Sequence, residues 1–347
     1  MLRILDANLN RTGEGLRVLE DVCRLVLNDP ELSERLKALR HELQPRDRSL
    51  QEKLMSARRA EEDVGAFIQE EGESDRQDLA GIVRANSQRV QQSLRVIEEA
   101  LKLPGQDLGL DWETAKRARF KLYELEQDIL LRLLRHERRQ RISGLYLVLD
   151  TAALGERAAL DAAGQAIEGG ARVIQLRDKT GAKGQTIALA KQLAEVCSRS
   201  GTLFVVNDHL DVALASDADG LHVGQGDLPV DSARRLLPQG KILGCSAATL
   251  DEAVRAEEQG ADYVAVGRMY PTSSKTDTRP AGLDTLRQVK HAVSIPVVAI
   301  GGISEHNVLQ VVDAGADSIA VISAVLGAAD IREASRTLAA AIEGENR

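Results

Sequence analysis

"AEEQGADYVAVGR", residues 256–268, runs from the end of a charged, amphipathic helical segment through a small-residue turn at Gly260 and Ala261 into the apolar run Tyr263–Val266. A strand that is apolar at nearly every position has no solvent face, so it belongs in a parallel sheet covered by helices. The same pattern returns in "AIEGGARVI" (166–174), "ALASDADGL" (213–221) and "VVDAGADSI" (311–319). Working outward from these units, strands are predicted at 144–150, 172–178, 203–208, 220–225, 241–246, 263–268, 296–302 and 318–323. Eight strands alternating with helices over about 200 residues match a closed (β/α)8 TIM barrel. The alternative, a doubly wound open sheet, has no need of eight.

The chain changes character near residue 140. Before it, Arg, Glu, Leu and Gln dominate, glycines are few and no run of β-branched residues stands out, so this part is predicted to be all α-helical. The break falls in "RHERRQRISG" (135–144), which gives an all-α N-terminal domain over 1–138 and a barrel domain over 142–347. The basic run reads as a solvated helix end, with a phosphate contact as the alternative.

A chain of 347 residues has ample apolar material for two domains. Its net charge of −8 argues against a nucleic-acid surface, because phosphate backbones are bound by concentrated positive charge; an anion site here must be local. No run approaches the ~18 apolar residues of a membrane span, and Met1 leads into "LRILDANLNR" rather than an apolar signal core. The expectation is a soluble, cytoplasmic protein, alone or as a homo-oligomer, with no membrane partner. Cys23, Cys197 and Cys245 lack the spacing of a zinc site or a disulfide framework and read as core residues in a reducing compartment.

In such a barrel the chemistry sits at the carboxyl ends of the strands. Residues alternate sides along a strand, so in "VIQLRDKTG" (173–181) Gln175, Arg177 and Lys179 share the inward side while Ile174 and Leu176 face the helices. A carboxamide and two cations climbing towards the mouth can hold an anion and a polar ring; the alternative is surface ion pairing. Asn207 and Asp208 end the third strand and Asp227 follows the fourth, so two carboxylates on adjacent loops offer the hard oxygens that Mg2+ accepts while keeping waters. Taken singly, either aspartate reads equally well as a cap or turn residue.

Ser246 ends the fifth strand. The polar loop "MYPTSSKTDTRPAG" (269–282) reads as a lid whose Thr272, Ser273, Ser274 and Lys275 suit a phosphate or diphosphate. Gly301–Gly302 and Ile322–Ser323 end the seventh and eighth strands, the address at which barrels most often cradle a phosphate on backbone amides. Two anion sites in one mouth imply two substrates. A metal-bound diphosphate is a leaving group, because Mg2+ and a lysine offset the charge that builds on it. No Ser-His-acid or paired-Glu arrangement is visible.

The blocks "QLRDK" (175–179), "VVND" (205–208), "GLHVGQGD" (220–227), "GCS" (244–246), "PTSSK" (271–275), "AIGGI" (299–303) and "AVIS" (320–323) resemble, in order and spacing, those of thiamine-phosphate synthase, over the chain from about 142 onward. The resemblance implies a Mg2+-dependent transferase. Its substrates would be the pyrimidine diphosphate 4-amino-2-methyl-5-(diphosphooxymethyl)pyrimidine and the thiazole phosphate 4-methyl-5-(2-phosphoethyl)thiazole. Diphosphate would leave in a dissociative step, and the thiazole nitrogen would capture the pyrimidine-methyl cation. By position, Gln175, Arg177, Lys179, Asn207, Ser246 and Lys275 correspond to pyrimidine diphosphate contacts, with Arg177, Ser246 and Lys275 as the catalytic candidates. Asp208 and Asp227 correspond to Mg2+ ligands, and Thr272, Ser273, Ser274, Gly302, Ile322 and Ser323 to thiazole phosphate contacts. The alternative is a thiazole-phosphate isomerase or binding protein on the same barrel. Such a protein would keep Gly302 and Ser323 but have no use for Asp208, Asp227 and Lys275 together.

Shorter members of that family lack the helical part, and it carries a repeat of its own. "ANLNRTGEGLRVLED" (7–21) aligns with "ANSQRVQQSLRVIEE" (85–99), which predicts a duplicated helical unit. Leu16, Val18 and Leu19 with Leu94, Val96 and Ile97 are expected in its core. Asn8/Asn86, Arg11/Arg89, Arg17/Arg95 and Glu20/Glu98 are expected on a polar face, either salt-bridged within a bundle or forming a pseudosymmetric phosphate pocket. The region resembles the amino-terminal extension of some thiamine-phosphate synthases, which implies pyrimidine phosphate binding or phosphorylation. No glycine-rich nucleotide loop accompanies it.

Overall fold

Each predicted strand is a strand among the residues that the computed structural model describes, 1–45, 47–58, 77–103, 111–272 and 279–344. They are β1 (Gly144–Asp150), β2 (Ala171–Arg177), β3 (Leu203–Asn207), β4 (Gly220–Val223), β5 (Ile242–Ala247), β6 (Tyr263–Gly267), β7 (Val297–Ile300) and β8 (Ser318–Val321). Neighbours in sequence are neighbours in space, every pairing is parallel, and β8 pairs back to β1. The sheet is therefore a closed barrel, and the open doubly wound alternative is excluded.

Alternation along the strands sorts their side chains into two layers. Ile174 and Leu176 point outward and pack with Ala162, Ala163, Ala190 and Leu193 of the covering helices. Val173 points inward beside Tyr146, Val205, Tyr263 and Val298. Each fully buried aliphatic chain in either layer stabilises the barrel by ~1.5–3 kcal/mol. Cys197 and Cys245 lie in the outer layer, where burial pushes their thiols up to about 12 and about 11.

At the amino end of the barrel, buried Asp262 accepts from the backbone amide of Leu243 at 2.8 Å, from Arg135 Nε at 2.7 Å and from Arg234 Nη1 at 3.3 Å. Burial, and then the neighbouring charge of Arg135, pushes Arg234 down to about 10. Arg138 pairs with Asp219 at 2.5 Å and donates to the carbonyl of Gly240 at 2.7 Å. The basic run expected as a solvated helix end thus supplies two arginines that fasten strand-connecting turns.

Compact units divide between Leu134 and Arg135, within the helix Trp112–Gln140. The first unit contains α1 (Leu2–Asp21), continued by a π-helical turn at Val22–Val26, then α2 (Pro30–Glu42), α3 (Arg48–Ser56), α4 (Leu79–Leu101) and most of α5 (Trp112–Gln140). Asp29 starts α2 by accepting from the Leu32 amide at 3.0 Å, with Pro30 in the first helical position. The repeated segments lie on α1 and α4, which pack against each other.

The duplication is visible bond by bond. Asn8 donates to the Ile4 carbonyl at 2.8 Å, and Asn86 donates to the Ile82 carbonyl at 2.9 Å. Leu16, Leu19, Leu94 and Ile97 are buried as expected, but Val18 and Val96 are 37% and 40% exposed. A residue two positions from Leu16 or Leu94 is rotated by about 200° and must leave that face. Glu20 and Glu98, expected on a polar face, are instead buried, at 5% and 2% exposure. Each carboxylate is held between an arginine of its own helix and one from another: Arg17 and Arg40 for Glu20, Arg95 and Arg119 for Glu98. Burial alone would raise the Glu98 pKa, but hydrogen bonds from Arg119, Lys102 and Arg95 outweigh it and keep the carboxyl below its usual range.

Candidate active site

Two tyrosines that the strand pattern turns inward, Tyr146 on β1 and Tyr263 on β6, meet inside the barrel with their hydroxyls 2.9 Å apart. Gln175 Nε2 donates to Tyr146 Oη at 2.8 Å. On the far side Tyr263 Oη lies 3.1 Å from His222 Nδ1, and His222 Nε2 lies 2.9 Å from Ser246 Oγ. Five side chains from five strands make one hydrogen-bonded line across the interior. With Gln175 as donor, the single proton of each phenol orders the rest: Tyr146 donates to Tyr263, Tyr263 to Nδ1, and Nε2–H to Ser246. The Ser246 hydroxyl proton is then free to point into the mouth. Burial first, and Tyr146 after it, pushes the Tyr263 phenol well above the usual tyrosine range, so it stays a neutral phenol.

Gly244 makes the line possible. A Cβ there would sit 2.1 Å from Tyr263 Cζ and 2.6 Å from His222 Nδ1. The Ser-His contact was not visible in the sequence, and a phenol, Tyr263, lies at the other ring nitrogen.

Charged side chains stand at the carboxyl ends of the strands. Arg177, at the end of β2, is ion-paired with Asp150 at the end of β1, its register partner. Arg177 is only 13% exposed, and its Nε–H is buried with no hydrogen-bond partner among the described residues. Asp208, just beyond β3, adopts a left-handed backbone with φ 64°, fixed by its amide donating to the His222 carbonyl at 2.8 Å. Its carboxylate is 3.8 Å from Lys179 Nζ. Asp227 Oδ2 accepts from the Gly224 amide at 2.8 Å and so closes the turn after β4.

On the opposite rim, Gly301 and Gly302 have φ of 102° and 69°. A Cβ on Gly302 would lie 2.7 Å from the carbonyl oxygens of Tyr270 and Pro271. Only glycine combines that conformation with that approach.

The cavity in the mouth, of about 130 Å3, gathers Gln175, Arg177, Asn207, Ser246, Thr272, Gly302, Ile322 and Ser323 from the expected set. Lys179, Asp208 and Asp227 do not line it and stand outside, at or beyond the strand ends. Ser273, Ser274 and Lys275 lie outside the described residues.

Residues 145–325 match the family model described as thiamine monophosphate synthase, and residues 3–128 match the ThiD2 family. The thiamine-phosphate synthase of Thermosynechococcus vestitus is 40% identical over 336 residues, 97% of this chain and 93% of that protein. That of Synechocystis sp. is 39% identical over 336 residues, again 97% of this chain and 94% of the relative. Among solved structures, thiamine phosphate pyrophosphorylase from Pyrococcus furiosus aligns with a TM-score of 0.56 and 40% identity, covering 60% of this chain and 98% of that one. The chain belongs to the thiamine-phosphate synthase family. It is an enzyme of the transferase class.

In this synthase-family barrel Asp150, Tyr146, His222 and Tyr263 join the site in addition to the residues expected from the sequence. Strand parity carried the signal for all four. Asp150 and Arg177 are cross-strand neighbours, and tyrosine or histidine at an inward position needs a polar partner there. The first unit's described residues include no helix long and apolar enough to cross a membrane, nor do those of the barrel.

Proposed function

We propose that the mouth couples a pyrimidine-methyl diphosphate to a thiazole phosphate, giving thiamine phosphate and diphosphate. The observation that carries this reading is the buried, unpartnered Arg177 Nε–H at the cavity wall. An arginine held on one side by Asp150 presents its remaining donors in fixed geometry, which suits oxygens of a departing diphosphate. The carbon–oxygen bond to diphosphate breaks with its electron pair, and the thiazole nitrogen lone pair then forms the new carbon–nitrogen bond. No base is needed. Gln175 and Ser246 offer the pyrimidine ring one amide and one hydroxyl, while the Gly301–Gly302 turn with Ile322 and Ser323 holds the thiazole phosphate.

Asp208 and Asp227 are the side chains that would hold Mg2+. Among the described residues no group of three or more His, Cys, Asp or Glu side chains forms a cage. That suits an ion which typically takes one or two carboxylates together with substrate phosphates and waters. When bound it supplies charge neutralisation to the leaving group. Lys275, which lies outside the described residues, would share that task.

The test is Arg177→Lys, which keeps a cation for Asp150 and loses the Nε–H. Coupling, followed as diphosphate release, should fall roughly a hundredfold with little change in KM for the thiazole phosphate. An unchanged rate would remove Arg177 from the reaction. Absence of diphosphate release from the wild-type protein given both substrates would favour the isomerase or binding reading instead.

A further inference from the structure

Arg268 follows β6 directly, lines the mouth cavity and stands outside the set expected from the sequence. Among the described residues its guanidinium makes no hydrogen bond and no ion pair. The described lining of the cavity holds two arginines, Arg177 and Arg268, and no aspartate or glutamate, in a chain of net charge −8. Arg177 is already paired with Asp150. Arg268 therefore brings to the mouth a positive charge that no described carboxylate offsets.

Its position is fixed by backbone. The Arg268 amide donates to the Arg279 carbonyl at 3.1 Å, and its carbonyl accepts from the amides of Ala281 and Gly282 at 3.1 and 3.3 Å. The next two amides, Met269 and Tyr270, donate to the carbonyls of Ile300 and Gly301, both at 3.0 Å. The chain after β6 is thus laid against the end of β7, and a Cβ on Gly301 would lie 2.5 Å from Arg268 Cβ. The arginine side chain starts beside the Gly301–Gly302 turn. Arg177 rises from the opposite wall, because β2 and β6 are four strands apart in a closed sheet of eight. Two anionic substrates in one mouth repel each other, and a cation on each wall can hold them apart.

We propose that Arg268 is a substrate-binding residue that takes the phosphate of the thiazole partner, adding a charge to the cradle of the Gly301–Gly302 turn and Ser323 while Arg177 serves the diphosphate. This rests on the coupling reading of the mouth. A guanidinium meets phosphate oxygens through paired N–H donors, a match that a single backbone amide does not supply.

The experiment is steady-state coupling by the full chain, followed as diphosphate release, with Arg268→Met and Arg268→Lys. Arg268→Met keeps an unbranched stem and loses the charge. Its KM for the thiazole phosphate should rise about 10- to 100-fold, while kcat and KM for the pyrimidine diphosphate stay within about twofold. Arg268→Lys should recover part of that loss, because the charge returns without the fork. An unchanged KM for the thiazole phosphate overturns the proposal. So does a rise in both KM values together, the mark of a structural role, or a rise confined to the pyrimidine diphosphate. Calorimetric titration of thiazole phosphate into wild type and Arg268→Met separates this assignment from the coupling reading. Wild type that releases no diphosphate sinks the coupling reading, and a Kd about 10- to 100-fold weaker in Arg268→Met then still upholds Arg268, whereas equal Kd values overturn it.

Discussion

Tyr263→Phe cuts the interior line at its middle while keeping nearly all of the side chain's volume, so the effect is electrostatic rather than a cavity. Two bonds disappear, 2.9 Å to Tyr146 Oη and 3.1 Å to His222 Nδ1. Tyr146 still accepts from Gln175, but its proton loses its acceptor, and Nδ1 loses its donor. Each buried polar group left unpaired costs about 1–3 kcal/mol, so the expected loss for the two is about 2–6 kcal/mol. For a domain of this size that lowers Tm by roughly 4–24 °C. Without Tyr263 the proton of His222 is no longer directed to Nε2. In the other tautomer Ser246 must donate to the ring instead of to a substrate. The coupling rate should therefore fall about tenfold, the His222 ring-nitrogen shifts should move towards a tautomer mixture, and KM for the thiazole phosphate should hold. A variant that melts within a degree or so of wild type, with unmoved nitrogen shifts, would refute the ordered line.

Asp208→Asn should lower coupling by orders of magnitude while leaving the melting curve in place, and unchanged turnover at saturating Mg2+ would sink the metal assignment. Gly302→Ala drives a Cβ to 2.7 Å from two carbonyl oxygens at φ 69°, so it should raise KM for the thiazole phosphate and cost about 1–3 kcal/mol of stability; intact KM would clear this turn of a substrate role. A barrel fragment beginning at residue 135 should fold and couple both substrates, whereas one beginning at 142 should melt several degrees lower because Asp262 and Asp219 lose Arg135 and Arg138. Equal stability of the two fragments would show that these ion pairs contribute nothing.

The barrel was legible because its signals are periodic and local. An apolar run flanked by a glycine turn, as at 256–268, states a buried strand wherever it occurs, and parity along β2 correctly divided Gln175 from Ile174 and Leu176. Helical periodicity applied to α1 and α4 would equally have removed Val18 and Val96 from the core, since Leu16 with Leu19 and Leu94 with Ile97 share a face at three-residue spacing and a valine two positions from the first does not. Glu20 and Glu98 were hidden for another reason. A carboxylate can be buried when two arginines enclose it, and in each case one of the two, Arg40 or Arg119, comes from a helix outside the repeat. Charge type alone could not announce that partnership.

The interior line was harder to see because it has no sequence spacing at all: Tyr146, Gln175, His222, Ser246 and Tyr263 meet only once the sheet has closed. Its chemistry nonetheless bears on the proposed reaction. Neutral hydroxyl, amide and imidazole groups occupy the depth of the mouth, while Arg177 with Asp150, Lys179 and Asp208 stand at the strand ends. A heterocycle seated on the neutral line would develop positive charge at its methylene carbon as diphosphate is pulled towards the rim cations. Fixed neutral dipoles can stabilise that carbon without bonding to it, whereas a buried carboxylate could trap it, so a phenol rather than an acid behind His222 favours transfer to the thiazole nitrogen.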